Sequence, residues 1–374
     1  MGSGDDGDDG LWFRQPWEDE DDPDPPGQVL PKPQIRHRPA PPADASVLRA
    51  LSLCEHALAR LDTMASLAPE PVRNGLTARM GFFEASGWLA QACQWVHPHD
   101  LALRAANLTG SFVASANTGN LHLEMPNTLG EAVDGDDVNG VAGDRTVRLG
   151  LQFAKSLKRL AGRSQPAASA QTMQKHLDGL GLLPDPLREP LMAGWLSELA
   201  LDLTTLPPLL AALSGAARWH SLDDGDSSAE VELRCGFLAA SVLKREGWLR
   251  AVPLPLWTMR TGRRDTAPLF GSDAKATVPM LALITESALA ATRELDRLAT
   301  ACRQATDFVG RTRASSRMPQ VLDFLVETPV VTARALTAHL KVTPQTAMDW
   351  LRELAKANLI REATGRKACR GFVI

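Results

Sequence analysis

The 374-residue sequence predicts a mainly α protein, a multi-helix domain followed by a small C-terminal unit in which helices give way to one β-hairpin. Leu and Ala dominate and Tyr is absent, so intrinsic propensity favours helix along most of the chain. Apolar residues recur at three- and four-residue spacing from about residue 43 to 310. After residue 311 short apolar periods alternate with Thr-Pro pairs, and a final extended run turns back through Thr364-Gly365-Arg366-Lys367. The length and the 44% apolar content suit two or three domains with ordinary cores.

Residues 1–42 stand apart from this pattern. Residues 1–30 carry ten acidic side chains against one Arg, a net of −9, with four prolines and five glycines. Such a composition cannot bury enough apolar surface to order itself, so a disordered, solubilising tail is expected. Leu11-Trp12-Phe13 and Trp17 form an aromatic cluster among the acids, a candidate docking motif for a protein partner. The acidic run is also a candidate cover for a basic surface of the chain. Pro31 to Pro42 reads as a Pro-rich spacer.

The helical domain is expected over 43–310. A first amphipathic helix opens near Ala43 with Leu48, Leu51, Leu53, Ala57, Leu58 and Leu61. A loop at Pro69–Gly75 precedes a second helix, Leu76–His97, and a third spans Asp100–Leu108. Residues 109–145, rich in Gly, Asp and Asn and without a period, read as a long loop. Helices resume at 146–160, 171–181, 187–200, 206–219 and 228–246, with Pro207-Pro208 opening the fourth of these. Gly247–Asp273 reads as extended and then basic. One long helix at 275–309, with Leu281, Ile284, Leu289, Leu295 and Leu298 as its buried side, is a candidate dimerisation element.

The last segment, 311–374, repeats the punctuation of a winged helix-turn-helix. Val321, Leu322, Leu325 and Val326 make a first helix that Thr328-Pro329 ends, because the residue before a proline is pushed out of the helical region. Thr332 caps a second helix carrying Ala335, Leu336 and Leu340. Lys341-Val342 is the turn. Thr343-Pro344 then starts a third helix, a capping hydroxyl followed by proline where a missing N–H costs nothing. With Ala347, Leu351 and Leu354 facing inward, Gln345, Thr346, Asp349 and Arg352 face out, on the part of the helix that such a motif presents to base edges in the major groove. Asn358 ends the helix, and Leu359–Ile374 forms the β-hairpin wing. This segment carries a net +6 in a chain of net −4. Its basic residues cluster before the first helix, as Arg311, Arg313 and Arg317, and in the wing, as Arg361, Arg366, Lys367 and Arg370. Arg313, Arg317, Thr343, Arg366, Lys367 and Arg370 are therefore the candidate phosphate contacts, with double-stranded DNA as partner. A two-fold operator would match a homodimer.

Other chemistries find little support. The five cysteines are odd in number and never spaced as CxxC, which argues against a disulfide framework or a zinc ribbon and for buried free thiols. Asp134, Asp136 and Asp137 lack the closing Glu of a calcium loop. His97, His99 and Asp100 lack a fourth metal ligand and read as surface residues at a helix start. His220 beside Asp223-Asp224 reads as loop. Arg260, Arg263 and Arg264 read as a solvated basic loop. No P-loop, HExxH, GxSxG or GxGxxG occurs, and no cofactor is expected. The most apolar windows, 191–217 and 278–291, contain Glu198, Asp202 and Glu286 and read as buried helices rather than membrane spans. No secretory signal is evident, so a cytoplasmic protein is expected.

Three stretches carry a family resemblance: Leu76-Thr-Ala-Arg-Met-Gly-Phe-Phe-Glu-Ala-Ser, the block from Leu191 to Trp219 with LPPLLAAL, and Lys341 to Arg366. On these the chain, from about Ser46 onward, resembles a bacterial family of uncharacterised proteins in which a helical domain distantly similar to the Fic family precedes a C-terminal helix-turn-helix. The resemblance implies a cytoplasmic DNA-binding protein, a transcriptional regulator, and raises AMP transfer as the alternative. Fic transferases carry His-Pro-Phe-x-x-Gly-Asn-Gly-Arg, whose His is the general base and whose glycine-rich turn holds nucleotide phosphates. Here His97-Pro98-His99-Asp100 is followed by Leu101-Ala102-Leu103-Arg104, without that turn, and Arg260-Thr261-Gly262-Arg263 has no histidine before it. The sequence therefore favours a non-enzymatic regulator.

Overall fold

The structure, a computed structural model, describes residues 43–106, 108, 138–162, 169–180, 188–222, 228–260, 269–270, 277–311, 317–364 and 370–374. The acidic tail with its aromatic cluster, residues 109–137, Arg263, Arg264 and Cys369 lie outside them. Among the described residues the fold is mainly α, with a small antiparallel sheet at the C-terminus.

Helix α1 (Ala43–Leu67) buries Leu51, Cys54, Leu58, Leu61 and Ala65, a three-to-four spacing that lays one stripe along its partner, α9 (Thr277–Arg311). Leu48 and Leu53 were expected in that stripe. Leu53 sits about 200° around the helix from the buried Leu51, and Leu48 and Leu53 are both exposed. In α9 the stripe is Leu281, Ile284, Leu295 and Leu298, while Leu289, also expected inside, is 42% exposed. Burial pushes the Cys54 thiol up to about 12, leaving it an inert apolar filler. Cys93, by contrast, is exposed, against the expectation of buried thiols, because it ends a helix in the left-handed region at φ 56.

Helix α2 (Glu70–Gln91) is the hub, packing on α4 (Val138–Ala161), α9, α3 (Pro98–Ala105) and α10 (Met318–Glu327). Its first turn is the stretch expected as a loop. Pro71 is tolerated there because the first N–H groups of a helix have no partner to lose, and Gly75 lies where another backbone comes close. A Cβ at Gly75 would stand 2.2 Å from the Val326 carbonyl oxygen, and one at Gly87 would stand 1.9 Å from that of Trp257. The helix also ends earlier than expected, and α3 starts at Pro98. Helix α4 begins at Val138, inside the stretch expected as loop, despite glycines at 140 and 143.

Helices α5 (Ala170–Asp178), α6 (Arg188–Thr205), α7 (Pro208–Leu222) and α8 (Ser228–Arg245) pack each on the next. Buried tryptophans tie this part together, two of them through their ring N–H. Trp195 stands edge-on to Trp219 and donates to the Gly215 carbonyl at 2.6 Å, and Trp88 donates to that of Ala229 at 2.7 Å.

The segment after α8 is a buried irregular strap with a single 3-10 turn at Thr258–Arg260. Its backbone amides are satisfied by carboxylates rather than by a ladder. Asp62 accepts from the N–H groups of Arg250, Ala251 and Val252 at 2.9, 2.7 and 3.2 Å. Glu84 accepts from Leu256, Trp257 and Thr258, and Glu232 from Leu269 and Phe270. Burial pushes the Glu84 and Glu232 carboxyls above their usual range while these hydrogen bonds pull the other way. His220, expected in a loop, lies in the last turn of α7 with Nε2 3.6 Å from the Glu232 carboxylate.

The C-terminal unit has its own core of Val321, Leu325, Leu336, Ala347, Leu351, Leu354 and Phe372. Packing continues across the expected boundary at 310/311, which falls in the last turn of α9. Arg79 of α2 donates to the Val326 carbonyl at 2.7 Å and sits 3.4 Å from Glu294 of α9. Arg297 donates to the carbonyl of Ile374 at 2.9 Å. Val330, Ala363 and Val373 rest on Ala102 and Leu103 of α3. The buried apolar face of α9, a candidate dimer surface from sequence, is thus occupied within the chain.

Candidate nucleic-acid interface

The reading head is assembled from short elements, each with an identifiable start. Helix α10 carries Pro319 in its first turn. Strand β1 (Val331–Thr332), which periodicity did not reveal, leads into α11 (Ala333–Leu340), where the Thr332 hydroxyl accepts from the Ala335 N–H at 3.1 Å. Lys341 takes the left-handed conformation at φ 53, ψ 48 and makes the turn. The Thr343 hydroxyl then accepts from the Thr346 N–H at 3.2 Å and opens α12 (Pro344–Lys356). Asn358, at φ 57, closes it. Strand β2 (Arg361–Glu362) and β1 flank the central β3 (Gly371–Val373), antiparallel, with Val331 opposite Phe372 and Arg361 opposite Val373.

Ala347, Leu351 and Leu354 are fully buried, which turns the opposite face of α12 to solvent. Gln345, Asp349 and Arg352 form one exposed row on that face. Gln345 Nε2 donates to the Asp349 carboxylate at 2.9 Å, and Arg352 Nη1 lies 3.3 Å from it. These i,i+4 and i,i+3 contacts fix the three side chains relative to one another at little energetic gain, since Asp349 and Arg352 are 56% and 59% exposed. The row offers an amide, an acceptor and a guanidinium, the groups that pair with adenine, with cytosine or adenine amino groups, and with guanine in the major groove. Thr346 is only half-exposed, and its hydroxyl meets that of Thr343 at 2.8 Å, so the structure groups it with the cap rather than with the row.

The candidate phosphate contacts divide differently. Arg317 is exposed but donates to the Leu340 carbonyl at 3.0 Å, tying the start of α10 to the end of α11. Arg370 lies 3.4 Å from Glu362 across the base of the wing. Thr343 is exposed at the cap. Arg313, Arg366 and Lys367 lie outside the described residues. Arg361, one of the basic residues clustered in the wing but not among the candidate contacts, is turned towards the body, where burial and then the Arg297 charge lower its pKa. Sequence reasoning passed over Arg334, exposed on α11, the helix that crosses the phosphate backbone in this motif, and over Lys341 as a contact. The available signal was that both fall off the Leu336 stripe.

Elsewhere, His97 caps α3, its Nδ1 accepting from the His99 N–H at 3.2 Å, and the two rings stack at 5.1 Å. Burial lowers the His99 pKa to about 3, helped by His97, Arg361, Arg79 and Arg297. The pair faces the seam between body and head rather than lying on the surface as expected. Among the described residues no group of His, Cys, Asp and Glu has a metal-binding arrangement, and no helix is long and apolar enough to cross a membrane.

Comparison with known proteins agrees with this geometry. The chain is similar to the uncharacterized protein y4cF of Sinorhizobium fredii (strain NBRC 101917 / NGR234), at 26% identity over 253 residues, 65% of this chain and 62% of the relative's length. Residues 318–374 match the family described as HTH DNA binding domain. The capped helices, the buried Ala347–Leu351–Leu354 stripe and this match together identify residues 318–374 as a helix-turn-helix DNA-binding domain.

Proposed function

We propose that the protein is a sequence-specific transcriptional regulator that acts on DNA in the bacterial cytoplasm, reading the major groove with α12. The observation that carries this is the exposed Gln345–Asp349–Arg352 row on a helix seated by the Thr343-Pro344 start, within a matched DNA-binding domain. Arg352 and Gln345 read base edges. Arg334, Arg370 and the wing residues Arg366 and Lys367 hold phosphates. Selection of a site from random duplexes, followed by anisotropy across a salt series, tests the reading. Arg352→Ala should cost roughly 1–3 kcal/mol on the selected site and relax preference at one position, whereas Arg334→Ala should weaken all duplexes alike and reduce the salt slope by about 1. Equal losses on every sequence for both variants would remove the assigned roles.

A homodimer on a two-fold operator is part of the proposal. Because the apolar stripe of α9 is occupied, the contact would use surface such as exposed Leu48, Leu53 and Leu289. A monomer by sedimentation at micromolar concentration, with and without the selected duplex, would exclude it. The proposal also holds that the helical body is not an AMP transferase, since His97 serves as a helix cap and no glycine-rich anion turn follows it. Transfer of labelled AMP from ATP to any protein, dependent on His97, would reverse that.

A further inference from the structure

A cavity of 570 Å³ opens between the end of α10 and the body, lined among others by Arg73, Asn74, Lys158, Lys244, Arg250 and Glu327. Its size is that of a small-molecule site. Its chemistry is cationic: four basic side chains face it against the two carboxylates Glu70 and Glu327. Two of the cations have structural partners. Lys244 Nζ donates to the carbonyls of Ala161 and Arg250 at 2.8 and 2.5 Å, and Arg250 Nε to that of Gly247 at 3.0 Å. Burial lowers the Lys244 pKa, with Asp62 opposing. Among the described residues, Arg73 and Lys158 have neither a side-chain hydrogen bond nor a carboxylate within 4.0 Å. A half-buried guanidinium and an exposed ammonium on one cavity, neither within ion-pair distance of a carboxylate, match a dianion, which the Arg can take bidentately and the Lys as a point charge. The remaining polar side chains of the lining, Ser66, Asn74 and Thr77 with the acceptors Glu70 and Glu327, suit a molecule that also carries hydroxyl groups.

We propose that this cavity binds a hydroxylated organic phosphate monoester between Arg73 and Lys158, and that its occupancy weakens DNA binding by the reading head. The coupling runs through Glu327. It is the last residue of α10, accepts a hydrogen bond from Asn74 Nδ2 at 3.2 Å, and follows Val326, whose carbonyl Arg79 grips. A dianion beside the Glu327 carboxylate repels it and disfavours the seating of α10 on α2. Only the coupling rests on the DNA-binding reading; the ligand site does not.

The test is calorimetric titration of the full chain with ribose 5-phosphate, with ribose as the uncharged control and inorganic phosphate as the minimal anion. Saturable binding of ribose 5-phosphate, tighter than of phosphate and absent for ribose, is expected. The double variant Arg73→Ala, Lys158→Ala should lose about tenfold or more in affinity, while Arg334→Ala on the head should leave it unchanged. No saturation by either phosphate up to ~10 mM, or binding that the double variant retains, overturns the site. Circular dichroism of the double variant matching the parent keeps that loss from being read as misfolding. In anisotropy with the selected duplex, saturating ribose 5-phosphate at constant ionic strength should weaken binding about fivefold or more. Unchanged or tighter DNA binding overturns the coupling and leaves the site standing. A chain that takes the ligand but never binds DNA instead refutes the regulator reading. If the double variant alone weakens all duplexes and flattens the salt slope, the two cations hold DNA phosphates and the ligand site is wrong.

Discussion

Glu84 illustrates how single side chains replace secondary structure here. It is fully buried on α2, and both its oxygens accept from consecutive amides of the strap, with the Thr258 hydroxyl as a further donor. Replacing it by Gln keeps the shape but points an N–H₂ at N–H groups, so at least one buried donor loses its acceptor. Glu84→Gln should therefore cost about 2–4 kcal/mol in urea unfolding, near the upper range for an orphaned buried group with a charged partner. A loss under about 1 kcal/mol would mean that the strap does not depend on this carboxylate. His99 supplies the acid response. Its folded pKa of about 3 lies below the unfolded value of 6.5, so the unfolded chain takes up a proton that the folded one refuses. Its contribution is present above pH 6.5 and is lost as pH falls towards 3. The slope from His99 alone reaches at most about 1.4 kcal/mol per pH unit, and His97, whose pKa burial also lowers, adds to it in the same direction. His99→Asn should flatten the stability curve between those values, and an unchanged curve would place the acid response elsewhere.

At the scale of elements, α2 decides whether the reading head is a tethered module or part of the body. A methyl at Gly75 would meet the Val326 carbonyl at 2.2 Å, and because that atom is backbone held by Arg79, α10 itself must move. Gly75→Ala should cost about 1–3 kcal/mol and raise hydrogen exchange in α10 and the wing strands while α6 and α7 keep theirs. Uniform acceleration throughout would point to global destabilisation instead. Such a seam is also where sequence reading failed. Pro69–Gly75 looked like a loop because proline and glycine usually break helices, and only the neighbouring backbone explains the glycine. The strap has no period because carboxylates 37 or more residues away in sequence satisfy its amides. Strand β1 has two residues, too few for alternation to show. The helices of the head, by contrast, were legible almost to the residue, since Thr332, Thr343-Pro344 and Asn358 are local signals that need no tertiary partner. For the interface this gave the Gln345–Asp349–Arg352 row. It did not find Arg334, which is exposed on α11 and shows only once the neighbouring helix is placed.

Across the whole molecule, charge is distributed so that opposite signs occupy opposite ends of the chain. Residues 1–30 carry −9 and residues 311–374 carry +6, within a total of −4. DNA binding driven by counterion release depends on the local basic surface, but the approach of the polyanion depends on the field of the whole chain. Removing residues 1–30 takes the formal charge from −4 to +5, which turns a net repulsion into an attraction. A chain lacking those residues should bind random duplex DNA more tightly and associate faster at ~10 mM salt, where the screening length is about 30 Å, with the difference shrinking at ~1 M as it falls to about 3 Å. The contrast with a selected site is informative: a long-range field acts on every sequence alike, so the ratio of specific to random affinity should stay constant. If that ratio rises or falls on truncation, the tail acts on base readout and not through charge alone. If random-duplex affinity does not change at low salt, the acidic run has no part in DNA binding and the partner-docking expectation for Trp12, Phe13 and Trp17 becomes the one to pursue.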